Sequence, residues 1–473
     1  MARLCPGSVR RILLLASILA CLAVPRAGAQ YPSTTTGQSS VPQTPTETAP
    51  TVFPHFGTGR FWISGQTNVI FQFNTPFHAG YSGPHSFLNR YNKAIGTVST
   101  LYTGIQLGGS TEVLVAPELA TGLGLSSTFG LGGVTDLDAV RDPTLSPTPY
   151  ISRAMIHQVF ALTPEREEAD RGPLSTFSEL PQKRIELRAG KFGITDFFDT
   201  NAVGGDSHLQ FMNYVVDQNG AYDFTADARG YTWGVLGEFQ SPRWGLRSAL
   251  ALMPGPQNGG PLVWNLRQAN TSDTEFEWHH GPIPSKLPGI IRLLGWVNHA
   301  NMGIYQYAID QYLAGKTPVP DISLHPRQVT AKYGFGVGVE QNVTPTITIY
   351  GRFGWNNGKT ETWSFTEVDQ TVSSGVIFPG HIWSRKNDRA GVAFASNGIS
   401  SVHARYLALG GLGFELGDGG LHYGRENLIE SFYTSHLWRG FYFGPDLQYI
   451  VNPGYNQARG PVLVPSFRMH VEF

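Results

Sequence analysis

Read back from the end of the chain, Val471, Met469, Phe467, Pro465 and Leu463 are apolar, and their neighbours Glu472, His470, Arg468 and Ser466 are polar. The period is two. Successive side chains on an extended strand point to opposite faces, so one face of this segment is oily and the other carries charge. The pattern runs into a terminal aromatic residue, Phe473. The last residues of soluble domains are ordinarily frayed and polar.

The same period recurs upstream. Phe61, Ile63, Thr67, Val69, Phe71 and Phe73 alternate with Ser64, Gln66, Asn68 and Gln72. Leu101, Thr103, Ile105 and Leu107 alternate with Thr100, Tyr102, Gly104 and Gln106. Ile185, Leu187 and Ala189 alternate with Arg184, Glu186 and Arg188. Tyr333, Phe335, Val337 and Val339 alternate with Lys332, Gly334, Gly336, Gly338 and Glu340, and Ile349, Phe353 and Trp355 with Tyr350, Arg352 and Asn356. Sandwich strands usually have about 5 or 6 residues. Several of these runs are nearer the length of roughly 10 that a tilted strand needs to cross a bilayer. Lipid cannot satisfy an open strand edge, so such a sheet must close on itself. The sequence therefore predicts an all-β fold, a transmembrane antiparallel barrel with apolar residues toward lipid and polar residues toward a lumen.

Composition agrees. Charged residues make up 15% of the 473 residues, against about 25% in ordinary soluble domains. No apolar run beyond residue 30 approaches the roughly 18 to 20 residues of a membrane helix. The formal net charge of −1 offers no basic excess for nucleic acid. At the other end, Arg3, Arg10 and Arg11 precede an apolar stretch from Ile12 to Val24, and Ala27, Gly28 and Ala29 are small. This predicts a secretory signal peptide over 1–29. Cleavage after Ala29 would remove four arginines, no acid and both cysteines (Cys5 and Cys21), taking the net charge from −1 to −5. Residues 30–54 are rich in Ser, Thr and Pro and read as a flexible lead-in. The barrel is expected over 55–473. Gly122 to Pro149 and Pro254 to Pro288 read as long loops, and Ser400 to Leu409 as a short helix.

From Lys183 onward, ordered motifs accumulate. Arg188, Ala189, Gly190, Lys191 and Phe192 lead to Asp196, Phe197, Phe198, Asp199 and Asn201. Asp227, Arg229, Tyr231, Trp233 and Gly234 follow, then the unbroken run from Gly351 to Lys359. Trp383, Arg385, Asp388 and Gly391 precede His403, Tyr406, Leu407, Ala408, Gly410 and Gly411. Gly417, Asp418, Gly419, Tyr423 and Glu426 come next, and last are Asn452 to Asn456 and Arg459 to Val462. In this order, over about the last three-fifths of the chain, they resemble the carbohydrate-selective porin family of the porin B type. The resemblance implies a bacterial outer-membrane barrel of about sixteen strands that passes neutral sugars such as glucose into the periplasm. Fourteen or eighteen strands fit the chain length equally. It also implies that the closing strand with Phe473 is what the barrel-assembly machinery reads.

A sugar is neutral and rich in hydroxyls, so a lumen of paired charges, amides and phenols can exchange hydrogen bonds with it. Binding must stay weak enough for release. The polar-face candidates for a constriction are Arg184, Glu186, Arg188, Lys332, Glu340, Tyr350, Arg352 and Arg468. The competing role for each is a cross-strand charge ladder that stiffens the wall and never touches solute. Asp196, Asp199 and Asn201 suit turn chemistry, and Trp233 and Trp355 an interface belt. No catalytic group, metal or cofactor is expected. Gly205, Asp206, Ser207 and His208 echo the start of some esterases, but no partner motif follows. A general porin, a barrel enzyme and an adhesive barrel are the alternatives.

Overall fold

The structure, a computed structural model, describes residues 50–55, 59–142, 145–283, 287–326 and 328–473. The expected signal segment and most of the lead-in lie outside the described residues. The first strands are β1 (Phe61–Asn74), β2 (Asn92–Gln106), β3 (Thr111–Thr121), β4 (Tyr150–Ala161), a small hairpin β5 (Arg166–Glu168) and β6 (Glu179–Pro181), and β7 (Arg184–Phe192). Then follow β8 (Thr232–Gln240), β9 (Trp244–Leu252), β10 (Asn270–Trp278), β11 (Gly289–Ala300) and β12 (Thr330–Asn342). The last are β13 (Thr348–Asn356), β14 (Gln370–Pro379), β15 (Arg389–Gly398), β16 (Glu426–Trp438), β17 (Phe441–Val451) and β18 (Val462–Glu472). Helices are α1 (Tyr214–Asp217), α2 (Tyr305–Leu313) and α3 (Ser401–Ala408).

Sixteen of these strands close into one antiparallel barrel, with β1 paired to β18 and β5–β6 standing outside it. Closure uses the C-terminal pattern directly. Val69 pairs with Met469 and Phe71 with Phe467. Phe473 then exchanges both backbone hydrogen bonds with Gly65, at 2.6 and 2.9 Å. Its ring lies over Gly65, where a Cβ would meet it at 2.6 Å, so a larger residue there would have to displace the ring.

The faces invert those of a soluble protein. Leu187, Val235, Phe335, Phe353 and Met469 are exposed on the outer face, whereas Glu186, Arg188, Arg352 and Arg468 are buried inside. An exposed apolar girdle around a charged interior is the division that lipid outside and water inside require. Trp233 is on the outside beside Trp264, 6.0 Å between ring centroids.

At the end that carries Phe473, connections such as 107–110, 241–243 and 439–440 are short. At the opposite end, 75–91, 122–149, 193–231, 301–329 and 399–425 are long. One expectation needs correction. Residues 254–288 are not a continuous loop, because 270–278 form β10 and pair with both β9 and β11. The outward positions of β10 are Ser272, Thr274, Phe276 and Trp278, only half of them apolar, and the flanking prolines masked the alternation. The short helix expected over 400–409 is present as α3, its first turn capped by Ser400 Oγ accepting from His403 N at 3.2 Å.

Two long connections, 122–149 and 193–231, fold into the lumen. Ile194, Phe197, Phe198, Phe211, Tyr214, Val215, Val216 and Phe224 join Leu131, Val134, Phe365 and Val368 in a buried apolar cluster inside the barrel. Burying this much apolar surface holds both connections there against the cost of ordering them. Asn219 sits so close to the wall that a Cβ at Gly354 would lie 1.9 Å from its Oδ1.

Candidate functional site

The two infolded connections, 122–149 and 193–231 (the latter called the inner segment), fill one side of the lumen and leave two chambers along the other. The outer chamber, of about 350 Å³, is walled by Val98, Thr100 and Tyr102 of β2, Glu118 and Ala120 of β3 and Tyr150 and Arg153 of β4. The infolded connections supply its other side. The second chamber, of about 990 Å³, opens toward the end that carries the C-terminus. It is walled by Trp62, Ser64 and Gln66 of β1, with Pro50 to Val52 and Glu472 at its mouth. Tyr102, Arg153, Asp196, Asp206 and His208 line both chambers and form the neck between them. The two chambers therefore lie off-centre, against β1–β4.

Local chemistry places the neck residues. Pro117 has no N–H to give the ladder. There the register of β3 on β4 slips: Ala116 pairs with Arg153 and Pro117 with Ile151, so Ser152 is an extra, bulged residue. The bulge reverses parity, so that Tyr150 and Arg153 both reach the lumen while Ile151 faces out. Arg153 forms a bidentate pair with Asp196, Nε to Oδ2 at 2.8 Å and Nη2 to Oδ1 at 2.5 Å. Its guanidinium lies 5.1 Å from the Tyr231 ring and 5.9 Å from the Tyr102 ring. Tyr150 OH donates to Glu118 at 2.5 Å and Tyr231 OH at 2.9 Å. Across the neck, His208 Nε2 is 3.6 Å from Asp138. Burial opposes charge on His208, but Asp138 and Asp206 outweigh it and push its pKa up to about 9. Ser207 Oγ contacts Asp138 at 3.5 Å and not His208.

All eight sequence candidates face the lumen, and none lines either chamber. Arg184, Glu186, Arg188 and Glu340 join a belt of alternating charge across β3, β4 and β7 to β12. His157 bridges Glu112 (2.6 Å) and Glu186 (2.8 Å), and Glu186 also binds Arg184 (2.6 Å) and Arg188 (2.5 Å). Arg188 reaches Glu238 at 3.2 Å, Arg247 joins Glu238, Glu275 and Glu277, and Arg292 joins Glu277 and Glu340.

The other four hold the inner segment. Lys332 Nζ pairs with Asp223 at 3.3 Å. Tyr350 OH donates to Val216 O at 3.4 Å. Arg352 donates to Val216 O and Asp217 O, both at 3.2 Å, and pairs with Asp199. Arg468 donates to Ser207 O and Gln210 O, both at 2.6 Å. Asn201 serves a turn, accepting from Val203 N, whereas Asp199 accepts from Asn219 N, twenty residues on, and pairs with Arg352, so it ties the segment together rather than making a local turn. Asp196 serves a turn for Gly193 N and also binds Arg153. Sequence reasoning missed Arg153, Glu118 and Tyr150. Arg229 and Tyr231 stood inside a quoted motif and carried the available signal.

A closed sixteen-stranded barrel with a lipid-compatible exterior and a polar passage is an outer-membrane porin. The chain belongs to the carbohydrate-selective porin, OprB family, whose model matches residues 85–473. The match begins well before the motifs at 183. The chain is an outer-membrane carbohydrate porin, with its short turns on the periplasmic side and its long connections outside. Among solved structures, the fold is similar to Pseudomonas putida OprB in its high-pH form, at 16% identity and TM-score 0.66, over 88% of this chain and 94% of that one. Matches also include Salmonella typhi OmpF in complex with daunomycin (8% identity, TM-score 0.47, 89% of this chain and 100% of that one). Another is a loop-deletion mutant of Vibrio cholerae OmpT (8% identity, TM-score 0.45, 88% and 100%). No curated protein sequence matches the chain.

Proposed function

We propose that neutral monosaccharides such as glucose diffuse passively through the off-centre passage and that the neck at Arg153 and Asp196 is its selectivity element. One observation carries this reading: a bidentate Arg–carboxylate pair stands between two tyrosine rings where the two chambers meet. Sugar hydroxyls can replace the pair's mutual hydrogen bonds one at a time, so desolvation is compensated as the ring moves. A charged solute of similar size would meet one group of its own sign at close range. No catalytic step is involved, and transport follows the gradient.

For Arg352 and Arg468 the supported role is anchoring of the inner segment, and for Arg184, Glu186, Arg188 and Glu340 wall stiffening. Export through a signal peptide cleaved after Ala29, and recognition of the Phe473 strand by the barrel-assembly machinery before insertion into outer-membrane lipid, complete the proposal. The test is liposome swelling with Arg153→Ala. The glucose rate should change by at least about threefold, with the preference for glucose over gluconate reduced. An unaltered rate and preference would show that the selectivity element lies elsewhere.

A further inference from the structure

The chain just before β1 lies across the periplasmic mouth. Tyr442 of β17 donates its hydroxyl to Pro50 O at 3.1 Å. Val52 N donates to Glu472 O, at the end of β18, at 2.8 Å. The His55 ring meets Trp62 of β1 at 4.7 Å between ring centroids. Arg171, in the connection between β5 and β6, donates to Gly59 O and Phe61 O, both at 2.9 Å, and pins the entry to β1. Residues 50–55 are thus a strap over three neighbouring strands, β17, β18 and β1. Pro50, Thr51, Val52, Pro54 and His55 stand on the wall of the second chamber, and none of them is fully buried.

The strap fixes where the chain upstream of it begins. With cleavage after Ala29, the 20 residues 30–49 precede Pro50. They hold nine Ser or Thr, one acid, Glu47, and no Lys or Arg. Their root is Pro50, on the chamber wall at its periplasmic mouth. The family match starts at residue 85, so strap and upstream segment are both this chain's own addition.

Tethering decides how strong a contact must be. A segment of this length and composition spans roughly 25 Å between its ends. Attached at the mouth, it stands at an effective concentration in about the millimolar range. Weak contacts then suffice to keep it in the chamber, whose volume is about 990 Å³. The chemistry also fits. Ser and Thr hydroxyls both give and take hydrogen bonds, as the hydroxyls of a sugar do. Glu47 is three residues from Pro50, and Arg439 is exposed on the same mouth with the opposite charge.

We propose that residues 30–49 are a self-blocking tail, which hangs from the strap at Pro50, enters the periplasmic chamber and competes there with sugar. The inference rests on the porin reading and adds to it a restriction at the exit.

The experiment uses the full-length porin with a site-specific protease sequence inserted between Thr48 and Ala49. The tail is cut from channels already inserted in planar bilayers in KCl, so assembly precedes its removal. Cleavage should raise the conductance of the same channel about twofold, as expected of a tail that occupies the chamber about half of the time at a millimolar effective concentration. A synthetic peptide of residues 30–49, added at about the millimolar level, should lower it again. Deletion of residues 33–49 with the strap kept should raise glucose swelling of liposomes in the same proportion. A conductance that does not change on cleavage would overturn the tail, while glucose swelling leaves the channel standing. Absence of both conductance and swelling in the uncut protein would overturn the tail together with the porin reading.

Discussion

At Arg153 the proline in the next pair of the ladder sets which face the side chain takes. Pro117 breaks the ladder, the bulge at Ser152 follows, and Arg153 and Tyr150 come to share one face. Simple alternation gives a side chain's face but not its depth in the lumen or what covers it. This is why Arg352 and Arg468 could be placed on the lumen side from sequence, yet their contacts with Val216, Asp217, Ser207 and Gln210 could not. His208 carries the residue-scale pH prediction. With its pKa near 9, it is charged at neutrality and loses its proton as pH rises further. Asp138, Asp206, His470 and Arg468 surround it. Cation selectivity, read as reversal potential in a KCl gradient, should therefore rise between pH 7 and pH 10, and His208→Gln should lack the pH-dependent part. A wild-type potential that does not move would contradict that assignment.

Elements act through contacts far apart in sequence. The inner segment 193–231 packs against wall glycines of β12 and β13, and no local pattern announces that approach. Gly354→Ala would put a Cβ 1.9 Å from Asn219 Oδ1 and so displace that side chain. The expected result is a loosened segment, read as new protease cleavage within 193–231 and a larger KCl conductance, with the barrel still closed. The outer connections are tied by His403 of α3, which lies against Asp369 at 3.1 Å and Glu367 at 3.5 Å and stacks on Tyr305 of α2 at 4.3 Å. Burial opposes its charge, and Asp369 and Glu367 outweigh burial, raising its pKa from 6.5 to about 9. A raised histidine stabilises fully below its unfolded value and loses that stability as pH climbs through the folded one. The outer connections should thus loosen above about pH 9, measurable by hydrogen exchange at α2 and α3. His403→Ala should cost about 3 to 5 kcal/mol locally, because it leaves buried carboxylates unpaired.

On the scale of the whole molecule, the barrel was legible because lipid imposes one rule on every strand, and the C-terminal run from Pro465 to Val471 obeys it, while Val462 and Val464 face the inner apolar cluster. The strand β10 was hidden where the outer face is half polar. The passage was not legible, because two loops distant in sequence fill the lumen and decide which wall stays open. The charge belt from Glu112 to Glu340 was half visible: Arg184, Glu186, Arg188 and Glu340 were read, while Arg247, Arg292, Glu238, Glu275 and Glu277 were not. An isolated charge in this belt would cost several kcal/mol, so each member depends on its neighbours.

The central claim is that sugar crosses along β1–β4. Residues beyond Cys21 include no cysteine, so single thiols can be introduced. Tyr102→Cys places one in the neck, and Tyr350→Cys places one on the opposite wall under the inner segment. Glucose swelling of liposomes is then measured before and after a bulky thiol reagent. The account predicts a large loss of glucose flux in Tyr102→Cys and none in Tyr350→Cys. Block at Tyr350→Cys, with flux through modified Tyr102→Cys unimpaired, would contradict it.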